Sequence, residues 1–279
     1  MLKYFFLIPA LILITSGRQA LSQISVAPVS LYIHSPSNIA SLHIANGYNT
    51  AREISVAFEF GYLSSDADGN QVMVYNDTNA SSGYRLDSCL KAFPRKFLLA
   101  PGGSQTVRVQ VRNMNGKPDG VYWSRIIISS GEVVEHTVES SGSQSVGTKI
   151  NYVFRHNIPA FYRSGKVNTR LVPEKVSAVT ENGKLKVLAS LLREGNSPFN
   201  GSVYARLFDS ENREVAFHRQ TTAVYFNIVQ KIEFDLPEQG LPAGDYMLEL
   251  TYQTRRSDIA ATDLVQADPV QYRIKVVID

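Results

Sequence analysis

The chain has 279 residues, 28 basic against 25 acidic side chains for a formal charge of +3, 44% apolar and 19% charged residues, and one cysteine. This composition fits a folded chain and excludes wholesale disorder, and so weak a positive charge is not the footprint of a nucleic-acid-binding protein. A single cysteine excludes an internal disulfide and any multi-cysteine zinc or iron–sulfur site, and the length accommodates two domains.

Met1–Leu2–Lys3 opens with a positive charge, Tyr4 to Ile14 is apolar except for Pro9, and Ala20–Leu21–Ser22 supplies a small-x-small cleavage pattern. Residues 1–22 therefore read as a signal peptide cut near Ser22–Gln23. The apolar run is shorter than the roughly 20 residues a spanning helix needs. The only cysteine, Cys89, lies far from that site, which argues against a lipoprotein signal. The expectation is an exported protein.

Beyond residue 23 the hydrophobic period is close to 2. Ile54, Val56, Phe58 and Phe60 alternate with Glu53, Ser55, Ala57 and Glu59. Val107, Val109 and Val111 alternate with Arg108 and Gln110, and Tyr246, Leu248, Leu250 and Tyr252 with Met247, Glu249 and Thr251. Such strands bury one face and wet the other, the antiparallel habit. Turn pairs separate them: Asp68–Gly69, Gly102–Gly103, Asn115–Gly116, Asn182–Gly183 and Asn200–Gly201. No helical period stands out after the signal peptide. Many short strands with regular turns predict an all-β chain of β-sandwiches. A boundary near Ser164–Gly165–Lys166 divides it into 23–164 and 165–279, each sandwich-sized. Leu241-x-x-Gly244-x-Tyr246 looks like the tyrosine corner of immunoglobulin-like domains, and Gly120–Val121–Tyr122–Trp123 begins a strand in a comparable place. The polar stretch from Ser64 to Cys89 predicts a long hairpin or loop. The serine-rich stretch from Glu135 to Gly147 lacks apolar content to bury and predicts mobility.

Chemistry is sparse. No phosphate loop, nucleophile elbow or HExxH occurs, and His34, His43, His136, His156 and His218 are scattered, as expected of surface strand residues. Asp66-x-Asp68-x-Asn70 resembles the start of a calcium loop, but its glycine falls at 69 and no glutamate occupies the twelfth position, Asp77, so a turn is the simpler reading. Cys89 reads as a small, half-buried residue beside a loop. Asn76-x-Thr78, Asn79-x-Ser81 and Asn200-x-Ser202 match a glycosylation pattern that arises easily by chance in polar loops. No catalytic residue, metal ligand or cofactor is predicted, and an enzyme is not expected.

The serine-rich stretch leads into Ile150, Tyr152 and Phe154, alternating with Asn151, Val153 and Arg155 and ending at Phe161–Tyr162–Arg163. By periodicity alone these apolar residues would face their own domain's core. Several segments together, however, resemble the PapD-like periplasmic pilus-assembly chaperones: an opening Ile24–Ser25–Val26–Ala27–Pro28 strand, a second strand from Ser41 to Asn46, the run from Pro94 to Arg108, and the ending from Lys149 to Arg163. The resemblance covers residues 24–165 best. It implies two immunoglobulin-like β-sandwich domains in an L-shaped arrangement, and a periplasmic chaperone. Its last strand of the first domain would lend alternate side chains, here Ile150, Tyr152 and Phe154 with Ile158, to a fimbrial or surface subunit whose β-sandwich is incomplete. An outer-membrane usher is a further partner implied by the resemblance. Donation fits the physics: an exposed apolar edge is an aggregation hazard unless it is meant to be paired.

One departure is specific. The family anchors the subunit's C-terminal carboxylate in the interdomain cleft with an arginine on the first strand and a lysine on the last; Leu31 and Pro159 stand at those places here. Lys149, Arg155 and Arg163 are the nearby candidates for another anchor. The competing expectation is a structural or adhesive surface protein built from the same two domains.

Overall fold

The computed structural model describes residues 23–81, 83–133, 152–181, 183–236 and 240–278. The expected signal peptide, the serine-rich stretch, Lys149 and Ile150 lie outside them. The first half carries β1 (Ile24–Ala27), β2 (Leu31–His34), β3 (Ile39–Asn46), β4 (Arg52–Glu59), β5 (Gly61–Ser65), β6 (Gln71–Tyr75), β7 (Leu90–Phe93), β8 (Lys96–Leu99), β9 (Ser104–Val111), β10 (Gly120–Glu132) and β11 (Phe154–Ser164). The second half carries β12 (Thr169–Glu181), β13 (Lys184–Gly195), β14 (Phe199–Phe208), β15 (Glu214–Val224), β16 (Asn227–Asp235), β17 (Gly244–Gln253) and β18 (Val270–Ile278). Among the described residues the helical structure is one turn at Thr78–Ser81 and a short 3-10 segment at Asp87–Cys89, and no helix is long and apolar enough to cross a membrane.

The strands form two sandwiches. In the first, the sheet β1-β3-β9-β7 faces the sheet β2-β11-β10-β4-β8; in the second, β12-β13-β16 faces β15-β14-β17-β18. Period-2 alternation builds each core directly. Leu42, Ile44, Val107 and Val109 from one sheet meet Ile54, Val56, Ile126 and Ile128 from the other. Leu185, Val187 and Leu191 meet Val203, Leu207, Leu248 and Leu250 in the second unit. The segment between β1 and β2 crosses from one sheet to the other, so β1 pairs antiparallel with β3 and β2 pairs parallel with β11. Asn46 closes β3: its buried amide donates to the carbonyls of Thr50, Leu99 and Ala100 at 2.9–3.0 Å, a set of partners that a carboxylate could not serve.

Both sandwiches carry a tyrosine corner. The Tyr122 hydroxyl donates to the Pro118 carbonyl at 2.6 Å and that of Tyr246 to the Pro242 carbonyl at 2.7 Å. The two corners share a Pro-x-Gly-x-Tyr pattern, Pro118/Gly120/Tyr122 and Pro242/Gly244/Tyr246, which makes the internal resemblance a local sequence repeat as well as a positional one. The stretch after Ser64 folds as the β5–β6 hairpin and the two helical turns. Asp66 closes the hairpin turn by accepting from the backbone N–H groups of Asp68 and Asn70 and from the Asn70 amide, so its carboxylate serves the turn. Cys89 is buried in the first core rather than half-buried.

Candidate functional site

β11 is paired unevenly. Along one side β10 runs beside it for its whole length, from Ser130 opposite Phe154 to Gly120 opposite Ser164. Along the other, β2 covers only Ala160 to Arg163. Among the described residues, the edge from Phe154 to Ile158 is open. Backbone polarity alternates along a strand, and the Arg163 carbonyl accepts from Ser35 N–H on the β2 side. Arg155 and Asn157 therefore present their backbone groups at the open edge; Pro159, next along, has no N–H, and the register of Ala160 with Leu31 turns its carbonyl to the Leu31 N–H. Arg155 and Asn157 offer two N–H donors and two carbonyl acceptors. The donor row stops where β2 begins.

Side chains alternate in the opposite sense. Ile158, Ala160 and Tyr162 point into the first core at 5%, 0% and 3% exposure. Phe154 continues that row past the end of the core and is 49% exposed, with Tyr152 64% exposed just before it. Tyr152 and Phe154 are thus solvent-facing apolar residues beside an unpaired backbone edge. Ile158 is corrected from its expected donor role: it is a core residue of its own sandwich, closed in by the facing sheet.

The other face of β11 looks toward the second unit. Phe161 stacks on Tyr32 and on Tyr225, with ring centroids 5.0 and 6.2 Å apart and planes 16° and 14° apart. Phe60, Tyr62, Val121, Trp123, Phe161 and Tyr225 are buried together as a third core, separate from those of the two sandwiches. Burial raises the Tyr225 hydroxyl well above the usual phenol range; Tyr32 is raised by burial first and then by neighbouring Tyr225. Arg163 is committed across the seam, donating to the Asp263 carbonyl at 2.8 Å and the Thr262 carbonyl at 3.2 Å. That corrects its expected role: it ties the units rather than standing free for a carboxylate. Arg155 is exposed at the open end of the strand.

Sequence reasoning passed over Arg125. It lies across the ladder from Pro159, is 6% exposed, and donates to the Gly61 carbonyl and the Tyr225 hydroxyl, each at 3.3 Å. Its guanidinium lies 5.7 Å from the Tyr225 ring centroid. Among the described residues no carboxylate pairs with it, so a cation sits in the seam with neutral partners only. The signal was present in the run Val121 to Ile128: apolar residues fill both parities of β10, which marks a strand buried on both faces, and one arginine interrupts it. Among the described residues, no group of three or more histidine, cysteine, aspartate or glutamate side chains is placed to hold a metal ion.

No protein-family model matches the sequence, and comparison with curated proteins finds no match. Solved structures of similar shape are chaperones of fimbrial and pilus assembly. The E. coli chaperone DraB is 14% identical, with 91% of this chain and 98% of that chain covered and a TM-score of 0.40. A chain from the Salmonella enterica SafA pilin in complex with the SafB chaperone is 12% identical, with 90% and 96% covered and a TM-score of 0.40. A chain from the Acinetobacter baumannii CsuC–CsuE chaperone–tip adhesion subunit complex is 12% identical, with 75% and 90% covered and a TM-score of 0.41. Identities and scores of this size carry no partner or activity over to the present chain.

Proposed function

We propose that the chain is an exported, periplasmic assembly chaperone that holds a fimbrial or surface subunit by strand addition at the open edge of β11. The observation that carries this reading is that edge itself. Arg155 and Asn157 offer an unpaired main-chain ladder, flanked by the exposed apolar side chains of Tyr152 and Phe154. Main-chain hydrogen bonds would supply affinity, and the two aromatic side chains, with Ile150 before them, would fill the gap in an incomplete sandwich. Residues 1–22 serve export, 23–164 form the capturing domain and 165–279 the second domain. Arg125, a buried cation opposite Pro159 with neutral partners among the described residues, takes the place of the basic pair of the family that the sequence resembles and receives the client's terminal carboxylate; Lys149 and Arg155 remain the other basic candidates for that anchor. An outer-membrane usher is the further partner in this scheme.

The test is co-expression with the subunit encoded by a neighbouring gene, followed by co-purification of wild type and of Tyr152→Asp/Phe154→Asp. Loss of capture by a folded double variant supports strand addition; intact capture rejects it. Retention of the protein at the cell surface with no bound subunit would favour the adhesive reading instead.

A further inference from the structure

Two sandwiches joined by a short connection move independently unless a large apolar interface holds them. Here the β5–β6 hairpin, set in the first half of the chain, reaches the second unit at three levels. At its base Tyr62 packs edge-on against Phe226, ring centroids 4.9 Å apart, and lies 6.1 Å from Tyr225. Midway, Ser65 Oγ accepts from the Val229 N–H at 2.7 Å. At the tip, Asn70 Oδ1 accepts from Lys231 Nζ at 3.0 Å. Gly69 lies against Lys231 so closely that an added Cβ would sit 2.8 Å from Lys231 Cβ, and its φ of +76° already favours glycine. The hairpin's other end meets the open strand, where the Asn157 amide donates to the Tyr75 hydroxyl. Opposite the hairpin, Asn196 Nδ2 donates to the carbonyls of Asp119 and Lys166, each at 3.0 Å. Between these ties, Arg193 lies over the rings of Tyr84 and Phe226, 5.1 and 5.5 Å from their centroids.

We infer that the β5–β6 hairpin is a strap that locks the two sandwiches into one body through the aromatic seam, so that the orientation of the units is set before any partner arrives. The device follows from the form of the contacts: apolar rings exclude water from the centre of the seam, and hydrogen bonds at its rim fix its registration. It does not depend on what binds at β11.

The only tryptophan in the chain, Trp123, is buried in that seam at 1% exposure, so its fluorescence reports the seam while far-UV circular dichroism reports the sheets of both units. The experiment is thermal unfolding of the chain from residue 23 to 279, followed by both signals and by calorimetry. The variants are Gly69→Val and Ser65→Ala/Lys231→Ala. The expected result is one transition with coincident signals in the wild type. In the variants the tryptophan signal shifts to lower temperature than the dichroism, and the single calorimetric peak splits. Separate transitions in the wild type would overturn the inference, as would coincident signals with an unshifted midpoint in the double variant. Should Gly69→Val fail to fold, the double variant decides, because it removes one hydroxyl and one amine from exposed or half-buried sites and leaves the Asp66 turn whole.

Discussion

Arg125 and Pro159 face each other across the β10–β11 ladder, and the pair joins two unusual conditions at one point of the sheet. Pro159 removes the one backbone donor that the open edge would otherwise offer next to β2. Arg125 brings a buried cation with neutral partners to the same level. An isolated charge away from water is unfavourable unless something compensates it, and a client carboxylate would do so.

The first prediction concerns that cation. Arg125→Met removes one buried charge of the seam and keeps much of the side-chain volume. Lost hydrogen bonds and relieved desolvation oppose each other, so the unfolding free energy from urea titration should change by no more than about 1 kcal/mol. Client affinity should fall about 10- to 100-fold, the equivalent of about 1.5–3 kcal/mol for a hydrogen bond to a charged group. Titration calorimetry with the subunit reads the second effect; unchanged affinity would remove Arg125 from the anchor.

A second prediction separates core from donor within one strand. Ile158→Ala should destabilise the protein by about 2–4 kcal/mol, since it opens a cavity in a closed core. Phe154→Ala should change stability by about 0.5 kcal/mol or less, since half of that side chain already meets water. Equilibrium urea unfolding distinguishes them, and equal effects would contradict the described end of the core.

The division between these two residues shows what the sequence could and could not convey. Alternation fixes parity, so Phe154, Ile158 and Tyr162 could be placed on one face from spacing alone. It says nothing about where the opposing sheet ends, and that boundary alone makes Ile158 core and Phe154 surface. The strands of Ile54–Val56, Val107–Val111 and Tyr246–Tyr252 were legible because each meets a single core. The seam was not, because Phe60, Trp123 and Tyr225 come from distant stretches and meet only through the relation of one sandwich to the other. Arg163 stands in the sequence as a candidate anchor, and its ties to the second unit are invisible there for the same reason: its partners, the carbonyls of Thr262 and Asp263, have no side-chain signature.

A third prediction uses the paired corners. Tyr122→Phe and Tyr246→Phe each delete one hydroxyl donor to a proline carbonyl four residues upstream and leave the ring in place. Each should cost about 1 kcal/mol. With no shared partner the two losses should add in the double variant. Denaturant unfolding of the singles and the double measures this, and a strongly non-additive double would mean that the corners are coupled through the seam.

The last prediction is a loss of stability at high pH. Burial, reinforced by hydrogen bonding to Asp77, raises the Tyr62 hydroxyl from its usual 10.0 to about 12. Tyr32, Tyr225 and Tyr252 are also raised, chiefly by burial, and the buried Tyr252 hydroxyl has no hydrogen-bond partner among the described residues. A raised folded value means that the native state keeps its proton after the unfolded chain has begun to lose it. The stability from this protonated form is therefore complete below about pH 10 and declines as pH rises toward about 12. The urea midpoint should hold steady to about pH 9 and then fall, and Tyr62→Phe should make that fall shallower by removing one titrating hydroxyl from the seam. Because Tyr62 belongs to the seam, the tryptophan signal should lead the loss. A midpoint that stayed level across this range, or a fall equally steep in Tyr62→Phe, would show that the phenol of Tyr62 is not held neutral by the fold.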